Sequence, residues 1–203
     1  MRLFRLMWSV TLLVLLAACS TVSLTNEWGN ASLRGAPFRR VLVVGISPEE
    51  GPRRTFEETF AHALERYGVQ TVTLSARHPE LAQLPEERLK RLVTETQVDA
   101  VLVTRQVRQD QRTQVVPGSP SVGFYGFYRN AWLGYERPMV YQYTIAVLET
   151  DLWSARDDQL VWSGTTEATR PEDIPRTCAD FSKVVSKALA KRGLLPRNEP
   201  SGT

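Results

Sequence analysis

The sequence predicts an α/β (α+β) fold, a mixed sheet of about five strands with elements in the order β-α-β-α-β-β-β-α and helices packed on the sheet. Three observations carry this expectation. Val41 to Ile46 is a continuous apolar run, which suits a strand buried on both faces. Phe56, Phe60, Ala63, Leu64 and Tyr67 recur at three- and four-residue spacing, the period of a helix with one apolar face. Two alternating stretches, Met139 to Trp153 and Leu160 to Thr169, flank Ser154-Ala155-Arg156-Asp157-Asp158-Gln159, which has the composition of a turn.

The first strand is preceded by Arg39 and Arg40 and closed by Ser47-Pro48, and it is expected centrally in the sheet. Gly51-Pro52 opens the first helix and Gly68 supplies its stop. Val69 to Leu74, β-branched and alternating, reads as the second strand. Pro85-Glu86-Glu87 starts the second helix, where acids suit the helix dipole, and places Leu89, Leu92, Val93 and Thr96 inward. Ala100 to Val107 is the third strand, with Arg105 and Arg108 leading out to solvent. Crossovers of this βαβαβ half favour parallel pairing. In the hairpin that follows, Tyr141, Tyr143, Ile145 and Val147 share one side of the first strand, and Trp162 and Thr166 lie on the second. The last helix runs from about Glu172 to Arg192, with Ile174, Cys178, Phe181, Val185 and Ala188 on its apolar stripe and Lys183, Lys187 and Lys191 off it. Cys178 on that stripe reads as a small buried hydrophobe.

At the amino end, Arg2 and Arg5 precede an apolar run from Leu6 to Leu16 and the small residues Ala17 and Ala18, the pattern of an export signal. The run is shorter than the roughly 20 residues a bilayer-spanning helix needs. With a cysteine next, Leu16-Ala17-Ala18-Cys19 resembles the lipobox of bacterial lipoproteins. That resemblance implies cleavage after residue 18, a diacylglycerol on the Cys19 thiol and acylation of the new amino terminus. Membrane lipid is then a partner through Cys19, because several acyl chains, at about 0.8 kcal/mol per buried methylene, hold a protein durably on a membrane. Ser20 and Thr21, with no Asp after the cysteine, resemble an outer-membrane sorting context. The expected location is the bacterial cell envelope, on the inner leaflet of the outer membrane and facing the periplasm. Residues 19–37, rich in small and polar types, read as the lipidated terminus and a flexible tether; 38–195 as a single domain with an insertion at 117–138; and 196–203 as a disordered tail.

The chain has 25 Lys and Arg against 22 Asp and Glu, and Arg2 and Arg5 belong to the leader, so the exported part is close to neutral and its charges are interspersed. No nucleic-acid partner is expected. Its two histidines, His62 on the polar side of the first helix and His78 in a loop, are poorly placed for catalysis. With no His-x-x-x-His spacing, no Gly-x-Ser-x-Gly elbow and no Gly-rich phosphate loop, neither an enzyme, a metal site nor a cofactor is expected. The candidate ligand residues are Arg53 and Arg54, where the first strand meets a helix amino terminus, a place where open α/β sheets bind anions. The alternative is that they pair with Glu57 and Glu58 one turn on.

Residues 117–138 interleave glycines with Phe124, Tyr125, Phe127, Tyr128, Trp132 and Tyr135. Rings of this kind, if exposed, suit contact with a protein partner, self-association or the membrane interface; the alternative is that they fold back as a cap on the sheet. Taken together, Arg40 to Ser47, Arg53 to Val69, Ala100 to Arg105 and Tyr141 to Thr169 are similar in layout to small α/β envelope lipoproteins related to the amino-terminal domain of TolB, the penicillin-binding-protein activator lipoproteins and the curli secretion lipoprotein. The resemblance implies a non-enzymatic module that binds or scaffolds an envelope protein or a second copy of itself. The competing reading is an anionic-ligand-binding or hydrolytic periplasmic protein using the first strand-helix loop.

Overall fold

A computed structural model of the chain describes residues 21–30, 35–78, 84–116, 139–169 and 171–196. Its elements are β1 (Val22–Gly29), β2 (Arg40–Ile46), α1 (Glu50–Glu65), β3 (Gln70–Thr73), α2 (Leu74–Arg77), α3 (Glu86–Thr96), β4 (Ala100–Val116), β5 (Met139–Ser154), β6 (Gln159–Thr169) and α4 (Ile174–Lys191). The strands form one mixed sheet in the order β1-β6-β5-β4-β2-β3. β2 pairs parallel with β3 and β4, as the crossovers require, and the remaining neighbours are antiparallel.

Successive side chains of β2 point to opposite faces, so its apolar run feeds two cores. Val41 and Val43 join Ala100, Leu102, Leu152 and Trp162 under α1 and α4, while Leu42 packs with Leu74, Leu92 and Val98 under α2 and α3. The expected helix stripes supply the first core: Phe60 and Leu64 of α1 meet Phe181, Val185 and Leu189 of α4. Phe56, Phe60 and Phe181 lie with ring centroids 5.5 to 5.8 Å apart. Gly164 leaves room for the wholly buried Trp162, because a Cβ there would sit 2.2 Å from the indole.

The mixed α/β class and the helix stripes match the expectation, and three boundaries move. The sheet has six strands, because Val22–Gly29, within the segment read as a tether, pairs with β6. Val22 is buried and Leu24 packs against the core, but a bulge next to Thr25 breaks their alternation; this edge strand is defined by its neighbour's hydrogen bonds more than by its own apolar pattern. Residues 22–29 are therefore part of the sheet. Leu74, expected in a strand, opens the one-turn α2, with the Thr73 side chain accepting from the Ala76 amide. β4 runs to Val116, well past the expected Val107, paired throughout with β5.

Candidate functional site

At the carboxyl end of β2 the two candidate arginines part company. Arg54 lies outside, with its guanidinium 3.6 Å from Glu58 one turn on. Arg53 points inward and is only 2% exposed. Close packing here depends on Gly45, whose added Cβ would lie 3.0 Å from the Phe56 ring and 3.6 Å from the Arg53 and Glu57 stems. Glu57, also buried, accepts the Gly45 amide at 2.9 Å and the Ser75 amide at 2.7 Å. That carboxylate therefore ties the end of β2 to the start of α2. Arg54 makes the expected pairing at the surface, whereas residues 53 and 57 fall on the face of α1 that meets the sheet and are buried there.

Beside Arg53 is a cleft of about 170 Å³ lined by Ile46, Phe56, Leu148, Ile174 and Cys178. It is smaller than the roughly 300–1,000 Å³ of ordinary small-molecule sites. Burial pushes the Cys178 thiol up to about 11, which favours the protonated thiol at neutral pH. His62 is exposed and hydrogen-bonds Glu65 at 3.0 Å. Among the described residues no group of three or more His, Cys, Asp or Glu is placed to hold a metal ion. No helix among them is long and apolar enough to cross a membrane.

The larger feature is an arm built from β4 and β5. β2 accompanies β4 only to Arg105, and β6 accompanies β5 only from Ile145 onward. Past those points, among the described residues, the two strands pair with each other alone, from Gln111 opposite Thr144 to Val116 opposite Met139. At about 3.4 Å per residue these six pairs reach some 20 Å beyond the neighbouring strands. One face carries a lattice of charges. Arg105 binds Glu149 across the strands, Arg108 reaches Asp110 at 2.7 Å, and Arg112 approaches Glu167 at 3.8 Å. The last pair joins β4 to β6 and so passes over β5, where Ile145 and Val147 lie buried between the pairing partners.

The amino end is fastened to the same end of the sheet. The Asp180 carboxylate of α4 accepts the Thr21 amide at 3.1 Å and its hydroxyl at 2.8 Å, while the Thr21 carbonyl accepts the Thr169 amide at 2.8 Å and hydroxyl at 3.1 Å. At the opposite end, Glu27 of β1 accepts from Arg192 at 2.8 Å. That bond, more than any other contact, holds Glu27 below its ordinary value of 4.5, against the opposing effect of partial burial.

Cys19 and the six aromatic residues from Phe124 to Tyr135 lie outside the described residues. The sequence reading missed the Thr21 clamp and the arm. Alternate charges at 108, 110 and 112 are a period-two signal, but without apolar partners they read as an exit to solvent.

A family model described as Domain of unknown function (DUF4136) matches residues 81–191, more than half of the chain. No curated protein matches the chain. Among solved structures, the chain is similar to the PelC dodecamer from Paraburkholderia phytofirmans, at 13% identity, with 87% of this chain and 99% of that one covered and a TM-score of 0.47. It is also similar to lipoprotein GNA1162 from Neisseria meningitidis, at 14% identity, 75% and 99% coverage and a TM-score of 0.42.

Proposed function

We propose that this chain, which belongs to the DUF4136 family, is a non-enzymatic lipoprotein of the bacterial envelope that binds or scaffolds proteins at a membrane surface through its β4–β5 arm. The location is the inner leaflet of the outer membrane, with Cys19 as the acylated residue. The observation that carries the reading is the position of Thr21. It is bonded to Asp180 and Thr169, and only Ser20 separates it from Cys19. Two residues span about 7 Å at most, so acyl chains on Cys19 would hold this end of the sheet against the bilayer with little slack. The arm leaves from that same end: Val22 lies opposite Ala168, Ala168 opposite Ala146, and β5 continues from Ile145 to Met139. In the chain, residues 117–138 link β4 to β5, and the reading assigns the contact to Phe124, Tyr125, Phe127, Tyr128, Trp132 and Tyr135 within that link.

The test has two parts. Cells fed a palmitate analogue should label the wild-type chain and leave Cys19→Ala unlabelled. A photo-crosslinking amino acid at Phe127 should then give a discrete protein adduct in wild type that weakens in Cys19→Ala. An unlabelled wild-type chain, or a wild-type chain without adducts, overturns the reading.

The competing anionic-ligand reading has less support here: Arg54 faces Glu58 at 3.6 Å, and Arg53 is buried beside a cleft of small volume.

A further inference from the structure

We infer that the open edge of β4 from Arg108 to Gln114 is the seam of a two-fold symmetric dimer, in which it pairs antiparallel with the same segment of a second copy of this chain, centred on Gln111. The inference rests on the arm being a contact element, as proposed above, and does not need acylation.

β4 has β5 on one side over its whole length, and among the described residues no strand lies on its other side beyond Arg105. Residues 105–109 and 111–114 are exposed. An exposed strand edge offers a row of backbone donors and acceptors to any incoming strand. Such edges are commonly guarded by charge, and Arg108, Asp110 and Arg112 supply it here. The same charges discriminate between partners.

In an antiparallel pairing centred on Gln111, Arg108 faces Gln114, Gln109 faces Thr113, and Asp110 of each copy faces Arg112 of the other. Two opposite-charge pairs therefore form, related by the two-fold axis. Asp110 already accepts from Arg108, so it would sit between two guanidinium groups. Moving the centre one residue to Asp110 sets the two Asp110 side chains face to face and puts Arg108 against Arg112 twice. Moving it to Arg112 sets arginine against arginine. The segment is thus complementary to itself in one register and repelled in the two adjacent ones. A two-stranded arm is marginally stable by itself in water, and pairing would make it the centre of a four-stranded sheet.

The test uses the full chain in detergent with Cys178→Ser, whether or not Cys19 carries lipid. Opposed residues at the two-fold centre have Cα atoms about 4.5–5.5 Å apart, within disulfide range. Gln111→Cys should oxidise to a covalent dimer, whereas Gln109→Cys, about 14 Å from its copy, should not. Sedimentation equilibrium should give a dimer mass for the parent. Asp110→Arg, which sets like charges against Arg112, should weaken association roughly tenfold or more, and adding Arg112→Asp should restore it. A parent chain monomeric at every concentration, equal crosslinking at positions 109 and 111, indifference to Asp110→Arg, or disulfide capture of a different protein at position 111 would each overturn the dimer. These readouts concern self-association alone, so the anchor reading can fail in palmitate labelling while this stands, and the reverse.

Discussion

The two ends of β4 are made from one strand by different means. From Ala100 to Thr104 alternate residues are buried against α1 and α4, and Leu102 is wholly enclosed. From Arg105 to Gln114 the side chains, Val107 apart, are polar and mostly exposed, and the strand is held by β5 and by ion pairs. Burial is cooperative and specifies one arrangement, because a slip of one residue would expose the apolar set. Ion pairs across an open face contribute little each and rearrange readily. The difference teaches that the covered end of the sheet is the scaffold and the arm is the adaptable part, available for contact.

The sharpest way to break this contrast is to open the covered end. Phe60→Ala removes a wholly buried ring packed against Phe56 and Phe181, and the expected loss is about 3–5 kcal/mol by urea unfolding. A loss below 1 kcal/mol would mean that the aromatic cluster is not the core of the scaffold. Glu57→Ala should come next. It leaves the buried amides of Gly45 and Ser75 without their acceptor, at about 1–3 kcal/mol each, and its signature is faster amide exchange at those two positions.

Acid should act more gently. Because Glu27 titrates below its ordinary 4.5 in the folded chain, its contribution is present above that value and is lost as pH falls through the lowered folded-state value. Removing the principal cause with Arg192→Gln should narrow the gap between melting temperatures at pH 6 and pH 3. An unchanged gap would assign the acid sensitivity to other carboxylates. The smallest effect belongs to the arm. Arg105→Ala should change stability by less than about 1 kcal/mol, since the guanidinium is more than half exposed. A larger loss in thermal unfolding would place the arm within the scaffold and erase the distinction.

Much of the scaffold was legible in the chain. The β2 run, the stripes of α1, α3 and α4 and the β5–β6 hairpin are strong periodic signals, and each became the expected element because apolar periodicity records burial. The polar strands were not legible. β1 shows two inward apolar residues before its bulge, and the outer half of β4 shows none that reach a core, so nothing in their hydropathy separated strand from loop. Arg53 and Arg54 illustrate the same limit at the candidate site. Adjacent residues of one type are separated by 100° of helix rotation, and which of them faces the sheet depends on how α1 sits on Gly45.

By itself, then, the sequence determined the mixed fold class, the elements that line its cores and the burial of Cys178, because these follow from local periodicity. Only the tertiary structure decided that residue 21 is bonded to α4 and β6, that Glu57 bridges two backbone amides, and that β4 outruns its neighbours to leave a charged edge. Those outcomes depend on which strands lie side by side and where each one stops, and pairing partners far apart in the chain leave no mark in the local pattern.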